Sequence, residues 1–191
     1  MFRHFGTAVR MTILSIVLLG VIYPVVMTGI AQALFPKAAN GSLVVVNGKV
    51  VGSWLVGQRW TKPQYFQGRP SAAGKGYDPT STGGTNLGPS SAKLMKATKA
   101  TIAQLRQANP DASGAPPIDL VTSSASGIDP DITPEAAYWE APRIAKARRM
   151  PLGAVRGLVA AHVQGRQFGF LGEPHVNVLE LNLALDGLRP Q

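Results

Sequence analysis

The sequence predicts a single N-terminal transmembrane helix followed by a mixed α+β domain outside the cytoplasm. Residues 11–36 carry no charged side chain, and a helix of about 20 apolar residues spans the hydrocarbon core of a bilayer. Residues 38–191 mix helix-like apolar periods with short strand-like runs, separated by glycine and proline. That part of the 191-residue chain is long enough to bury a core of its own.

The transmembrane helix is expected to run from Thr12 to Leu34. Pro24 lies in the middle of this run and should kink the helix, because proline removes one backbone hydrogen bond and clashes with the preceding turn. Gly20 and Gly29 are small enough to let another helix approach closely. The segment therefore has the features of a membrane anchor that can also pack against a partner.

The charges around the helix predict its orientation. Arg3 and Arg10 lie in residues 1–11, which we expect to form a short cytoplasmic tail, because basic residues in short flanking segments stay in the cytoplasm. Residues 38–191 would then form the domain on the outer side. The chain is thus expected to cross the membrane once.

The N-terminus also fits a second interpretation, a signal peptide that is cleaved. The two arginines would form its basic region, residues 11–23 its apolar region, and Ala31-Gln32-Ala33 a small-residue cleavage site. The product would be a secreted binding module released after Ala33. The apolar run continues well past Pro24, which favours the membrane anchor.

The chain is basic, with 19 basic and 10 acidic residues and a formal net charge of +9. No acidic residue precedes Asp78, so nearly all of the excess lies before that position. Such a region favours anionic lipid headgroups or an acidic protein partner. Aromatic residues do not alternate with the basic ones, which argues against nucleic-acid binding. The absence of cysteine excludes disulfides and thiolate metal sites.

The domain is expected to begin with a hairpin and a long loop. Two strand-like runs flank Asn47-Gly48, a pair that favours a tight turn between antiparallel strands. Residues 61–91 are rich in proline and glycine and show no helical period, which predicts a loop. A serine at its end, Ser90 or Ser91, would cap the next helix.

Three further helical regions and two strands complete the predicted domain. Thr133 or Asp131 would cap the second helix, and Pro142 should interrupt it. Leucines at every second position near the C-terminus predict a half-buried strand. The predicted helices cover residues 91–109, 134–141 with 143–149, and 151–162, and the predicted strands cover residues 118–122 and 176–185.

The glycine-rich stretch of residues 68–91 invites comparison with a phosphate-binding loop. Five residues separate Gly68 from Gly74-Lys75, whereas a P-loop has four, and Gly76 stands where the magnesium-binding Ser or Thr belongs. The histidines are isolated, so no metal site is predicted. Asp129 and Asp131 flank a proline ahead of a helix, where capping is the simplest role. No catalytic residue is identified.

An ordered set of motifs identifies the family. The stretches GQRWTKPQYFQGRPSA, TGGTNLGPSS, IDLVTSSASGIDPDITPEAA, PRIAKAR and GFLGEPHVNVLELNLAL follow one another between residues 57 and 185. With the N-terminal span, they closely resemble the C subunit of the bacterial Kdp potassium-transporting P-type ATPase. The resemblance implies a non-catalytic accessory subunit at the outer face of the inner membrane. Its implied partners are the potassium-binding A subunit, the ATP-hydrolysing B subunit, the small F subunit and membrane lipid.

The resemblance also implies a possible role as a catalytic chaperone that raises the ATP affinity of the B subunit, so ATP is expected only through that subunit. The nucleotide candidates are Gly83, Gly84 and Glu140, although relatives carry glutamine where this chain has Glu140, and a carboxylate would repel phosphate. Asp131 likewise replaces a histidine that is common in relatives. The candidate contacts of the loops with partners are Arg69, Pro70, Ser71, Gly83, Gly84, Asn86, Gly88, Asp129 and Asp131.

Overall fold

The structure is a computed structural model that describes residues 2–188, with side chains from residue 4 onward. The chain divides into two compact units, Met1–Leu43 and Val44–Gln191. We describe the helical first unit and the mixed second unit separately.

The first unit is dominated by one long apolar helix. Its three sections are α1 (Phe2–Ser15), a π-helical section (Ile16–Ile22) and α2 (Tyr23–Leu34), and the short helix α3 (Pro36–Ala39) follows. Residues His4–Leu34 are long and apolar enough to cross a membrane, and none of their side chains is buried. The predicted end at Leu34 is confirmed. The residues expected to form a tail are helical from Phe2, so the helix is longer than predicted.

The π-helical section lies immediately before Pro24. The N–H of Tyr23 donates to the carbonyl of Leu18, five residues back. Proline has no N–H to offer to the carbonyl four residues before it, that of Gly20, and its ring crowds that group. A wider turn accommodates the missing bond without ending the helix, as π-turns inserted in α-helices do.

The second unit begins with the predicted hairpin. Strands β1 (Leu43–Val46) and β2 (Lys49–Ser53) form a two-stranded sheet. The turn residues Asn47 and Gly48 have φ angles of 51° and 74°, as the tight turn that suits the twist of a hairpin requires. This prediction is confirmed.

Helices supply most of the regular secondary structure of the second unit, and its second sheet is very small. Strands β3 and β4 pair antiparallel, with Asp131 opposite Asn177 and Ile132 opposite Val176. The remaining helices and strands are α4 (Ala92–Ala108), α5 (Ile118–Val121), β3 (Asp131–Ile132), α6 (Pro134–Arg148), α7 (Leu152–His162), β4 (Val176–Asn177) and α8 (Val178–Leu185).

Two apolar clusters form the core of the second unit. The larger one joins α6, α7 and α8 with the long loop and includes Phe66, Ile144 and Leu181. The smaller one lies under the β1–β2 hairpin and includes Val44 and Leu183. Helix α8 contributes to both clusters, so it connects the two parts of the core.

The predicted C-terminal strand is wrong, because most of that segment forms helix α8. Leu179 and Leu183, one helical turn apart, face the smaller cluster, while Leu181 faces the larger one. A helix buried on two sides therefore produces the alternation that suggested a strand. A capping signal was present: the Asn177 side chain accepts a hydrogen bond from the Glu180 N–H at 3.1 Å.

Two other predictions also differ from the structure. Residues 118–122, predicted as a strand, contain the short helix α5. Helix α6 continues through Pro142 rather than ending there. Ala141 and Ile144 on either side of that proline are buried, so burial of this part of α6 in the core outweighs the lost backbone hydrogen bond.

Two glycine substitutions should have opposite effects on stability. Gly157→Ala, on the exposed face of α7 where a Cβ meets no atom within 4 Å, should raise the free energy of unfolding by about 0.5–1 kcal/mol. Gly48→Ala should lower it by about 1 kcal/mol, because the φ angle of 74° strains a side chain. Thermal unfolding of the full chain in detergent, followed by circular dichroism, measures both; stabilisation by Gly48→Ala would contradict the assigned turn.

Candidate functional site

The glycine-rich loop folds onto a neighbouring segment, residues 122–129. The Ser71 hydroxyl donates a hydrogen bond to the Gly127 carbonyl. The same oxygen accepts hydrogen bonds from the N–H groups of Ala73 at 3.2 Å and Tyr77 at 2.7 Å. One hydroxyl thus stabilises the turn of this loop and attaches it to the segment below.

Glycine is required where the two segments touch. Gly127 has a φ of 71°, and a Cβ there would lie only 2.7 Å from the Gly83 carbonyl oxygen. Gly83 itself donates its N–H to the Ser126 carbonyl at 2.8 Å. A Cβ on Gly84 would lie 3.2 Å from the Ala125 carbonyl oxygen. Gly127 and Gly84 therefore allow close backbone approach within the domain, whereas a Cβ on Gly83 would meet no atom within 4 Å.

An ion pair joins the same two segments. The Arg69 guanidinium lies 3.0 Å from the Asp129 carboxylate and also donates to the Thr122 carbonyl at 3.4 Å. The other carboxylate oxygen of Asp129 accepts a hydrogen bond from the Asp131 N–H at 3.2 Å. Both predicted contact residues, Arg69 and Asp129, are thus brought together. Each side chain is about three-quarters covered.

A cleft of about 520 Å³ separates this loop from helix α4. Its walls include Trp60, Arg69, Pro70 and Tyr77. The Tyr77 hydroxyl donates to the Arg69 carbonyl, and burial, together with the charge of Asp129, raises the pKa of Tyr77 to about 12. The phenol therefore remains a neutral hydrogen-bond donor at physiological pH.

Asp131 connects the loop region to the small second sheet. Its carboxylate accepts a hydrogen bond from the Asn177 amide at 3.0 Å, and that amide also donates to the Trp54 carbonyl at 3.1 Å. Burial raises the pKa of the Asp131 carboxyl, and the nearby His175 opposes this shift. Thr133, not Asp131, caps helix α6, because its hydroxyl accepts the Ala136 N–H at 3.1 Å.

Among the described residues, the most deeply buried ionisable side chain is that of Glu140 on α6. Its side chain has no exposed surface and forms an ion pair with Arg143, one turn further along the helix. Its second oxygen accepts the Gln67 N–H at 2.9 Å. Burial raises the pKa of Glu140 to about 7, although the neighbouring Arg143 and the Gln67 N–H lower it.

Arg143 holds residues 63–67 against the core. Its guanidinium donates to the carbonyls of Pro63 and Tyr65 and to the Asn109 side chain. From the opposite side, the Asn182 amide pairs with the backbone of Phe66, accepting its N–H at 2.8 Å and donating to its carbonyl at 3.0 Å. We call Glu140, Arg143 and Asn182 the buried clamp.

A second arginine continues this attachment at the domain surface. Arg148 donates to the Gln64 carbonyl at 2.8 Å and lies 2.6 Å from the Asp186 carboxylate. Its guanidinium lies 4.9 Å from the centre of the Tyr65 ring, and the Tyr65 hydroxyl donates to Asp186 at 2.8 Å. The start of the long loop is therefore held by both α6 and the end of α8.

The nucleotide candidates have contacts inside the domain. Gly83 and Gly84 touch the 124–126 segment, whereas Glu140 contacts Gln67 and Arg143 in the core. Gly83 and Gly84 therefore lie where the two loop segments touch, whereas Glu140 lies in the core. Their role toward nucleotide stays a prediction. Among the described residues, no group of three or more His, Asp or Glu side chains could hold a metal ion.

The predicted contacts differ in exposure. Asn86 and Gly88 are exposed on the last part of the loop, and the Gly88 carbonyl accepts the Ser91 N–H at 3.0 Å. Ser91 then caps α4 by accepting the Leu94 N–H at 3.4 Å. Asn86 and Gly88 therefore remain open to a partner, while Arg69, Ser71 and Asp129 chiefly stabilise the loops.

The buried clamp was not predicted from the sequence. Asn182 lies in the segment predicted as a half-buried strand, although an amide within a leucine-rich run fits a buried hydrogen-bonding role. Arg143 follows Glu140 by three residues on the same helix, a spacing that brings opposite charges together. This spacing could have predicted the ion pair, but the predicted helix break at Pro142 put Glu140 and Arg143 in separate helices.

Glu140 should make the stability of the domain depend on pH. Its pKa is about 7 in the folded protein against 4.5 in the unfolded chain, so the folded state binds the proton more tightly. The free energy of unfolding should then fall by about 3 kcal/mol as the pH rises from about 4.5 to 7. Glu140→Gln should remove this component.

Chemical denaturation at a series of pH values measures the effect. Glu173→Gln is the matched control, because Glu173 is exposed in its pair with Arg166 and exposed ion pairs contribute little to stability. An identical pH dependence in wild type and Glu140→Gln would contradict the raised pKa.

Comparison with known proteins places the chain in a family. The model of the K+-transporting ATPase, c chain (KdpC), matches residues 5–187. Three curated relatives are described as the potassium-transporting ATPase KdpC subunit. They come from Acidobacterium capsulatum, with 56% identity over 96% of this chain and 98% of the relative; Koribacter versatilis, with 50% over 98% and 96%; and Myxococcus xanthus, with 54% over 97% and 89%. The match begins at residue 5, within the helix His4–Leu34, and covers nearly all of that helix, so the interpretation as a released secreted module is not supported. The chain belongs to the KdpC family of potassium-transporting ATPase subunits.

Proposed function

We propose that the chain stabilises an assembled potassium pump from the outer face of the bacterial inner membrane, while another subunit hydrolyses ATP. One observation carries the proposal: the helix His4–Leu34 is apolar, long enough to span a bilayer and without buried side chains. A helix of this kind needs lipid or partner helices around it. Membership of the KdpC family makes the chain a pump accessory subunit.

Several polar and charged side chains of the loops and core bond to one another, which supports a binding role over a catalytic one. Arg69 pairs with Asp129, Glu140 pairs with Arg143, and Asp131 bonds to Asn177. Each of these groups stabilises loops or core of the domain. Such an arrangement suits a rigid module that contacts other subunits through its surface.

The proposed partners are the potassium-binding A subunit, the ATP-hydrolysing B subunit, the small F subunit and membrane lipid. Within the helix, a Cβ on Gly29 would meet no atom within 4 Å, and one on Gly20 would meet only the Ile16 side chain at 3.9 Å. These glycines leave space for a neighbouring helix. We assign helix contacts with the other membrane subunits to them.

We further propose a role as a catalytic chaperone that raises the ATP affinity of the ATP-hydrolysing subunit. Gly83, Gly84 and Glu140 contact other parts of their own domain, and the buried carboxylate of Glu140 does not suit phosphate. If the chain raises ATP affinity, it therefore acts through the ATP-hydrolysing subunit. Such an effect would be transmitted by subunit contacts and would not need nucleotide bound to this chain.

Removing the chain from cells that express the other pump subunits should prevent recovery of an intact complex. Affinity purification of the potassium-binding subunit, followed by potassium-stimulated ATPase assays, measures assembly and activity together. Restoring the full chain should restore both. If the complex assembles normally without the chain, the stabilising role fails. A complex that assembles but has a raised KM for ATP would support the chaperone role instead.

The outward placement of the domain can be tested with single cysteines, since the chain has none of its own. Lys99→Cys on the exposed surface of α4 should react with a membrane-impermeant maleimide in intact spheroplasts. Thr7→Cys should react only after lysis. The reverse labelling pattern would place the domain in the cytoplasm and contradict the proposal. Both side chains are exposed in the isolated chain, and Thr7 lies near the N-terminal end of the membrane helix, in the segment expected in the cytoplasm.

A further inference from the structure

A small hairpin projects between α7 and α8. Gln164 and His175 pair antiparallel through two backbone hydrogen bonds of 2.8 and 3.0 Å. Nearer the tip, Gln167 and Leu171 exchange backbone hydrogen bonds of 2.8 and 2.9 Å. We call residues 164–175 the aromatic hairpin, because two phenylalanines occupy its tip.

The tip holds three exposed large apolar side chains within four residues. Phe168 is 86% exposed, Phe170 is 70% exposed and Leu171 is 47% exposed. Aromatic side chains bury large areas when they bind, so leaving two of them in water at one turn is unfavourable. A contiguous exposed patch of this kind marks an interaction site.

The backbone of the tip is ordered by its own hydrogen bonds. The Gly169 N–H donates to the Arg166 carbonyl at 3.1 Å, and the Phe170 N–H donates to the Gln167 carbonyl at 3.2 Å. Phe168 and Gly169 have φ angles of 52° and 83°, so a non-glycine residue is held in the left-handed region. The phenylalanines are therefore presented on a preorganised turn, which reduces the entropy lost on binding.

Charge argues for a protein partner rather than an anionic lipid surface. Arg166 and Glu173 lie on opposite sides of the hairpin and pair at 2.7 Å. The hairpin carries no other charged residue apart from His175, so it has no excess of basic groups to attract lipid headgroups. Peripheral insertion into an anionic membrane normally combines apolar and basic residues. A neutral apolar tip instead complements an uncharged apolar pocket.

Size argues against a second copy of the same chain. Two tips in contact would bury only the area of a few side chains, well below the roughly 1,200 Å² of a stable protein interface. The same side chains can act as anchors when a partner pocket surrounds them, because a few buried aromatic residues dominate many interfaces.

We propose that Phe168, Phe170 and Leu171 insert into an apolar pocket on another subunit of the potassium pump. This inference rests on the proposed function and specifies the surface through which the domain acts. Polar residues on either side of the tip, including the Arg166–Glu173 pair, would form the rim of that contact.

The double substitution Phe168→Ala with Phe170→Ala tests the proposal in the full chain. Recovery of the pump complex with the variant should fall about tenfold or more, since anchors of this type carry much of the binding energy. Ile118→Ala is the matched control, because Ile118 is 71% exposed and lies outside the hairpin. Its complex should be recovered at the wild-type level. The unfolding midpoint of both variants should match that of wild type.

A photo-crosslinking amino acid at position 168 identifies the occupant directly. Irradiation of membranes should give one product with the mass of this chain plus another pump subunit. A product of two copies of this chain, a product with lipid, or full recovery of the complex with the double variant would each overturn the proposal. Failure of the wild-type chain to co-purify with any pump subunit would instead overturn the proposed function, so the two failures are distinguishable.

Discussion

The organisation of the domain depends on the buried pair of Glu140 and Arg143. The Arg143 guanidinium reaches two carbonyls of residues 63–67, and the Glu140 carboxylate accepts the Gln67 N–H. These bonds hold Phe66 inside the larger cluster. A buried pair of this kind adds little to stability by itself, but it fixes which segment of the chain covers the core.

That attachment explains how a long loop without regular structure can remain ordered. The buried clamp fixes one end at residues 63–67, and Ser91 fixes the other by capping α4. Between these ends, the Ser71 hydroxyl and the Gly83 N–H bond the loop to the backbone of the 122–129 segment. Gly127 of that segment has no side chain, which leaves room for the loop. Within residues 68–91, Gly84 meets the backbone of that segment, whereas Gly68, Gly74 and Gly76 lie against the side chains of Tyr77, Asp78 and Arg59. The resemblance to a nucleotide motif therefore has a packing explanation.

Local signals in the sequence were sufficient where a feature is determined within a few residues. The uncharged run predicted the helix that ends at Leu34, and Asn47-Gly48 predicted the hairpin. Features that depend on tertiary contacts could not be predicted from such local signals. Helix α8 alternates because it is buried on two sides, and α6 passes through Pro142 because it lies in the core. Glu140 became a nucleotide candidate through the family resemblance alone. Its pairing with Arg143 was not predicted, because Arg143 lies beyond the predicted helix break at Pro142.

The π-helical section before Pro24 also changes how the membrane helix presents its surface. The wider turn adds a residue to the local repeat, so side chains before and after Ile16–Ile22 are rotated relative to a uniform α-helix. Residues that would share one face at a constant period of 3.6 then belong to different faces. The two halves of the span can in this way meet different neighbours in the bilayer, one before Gly20 and another around Gly29.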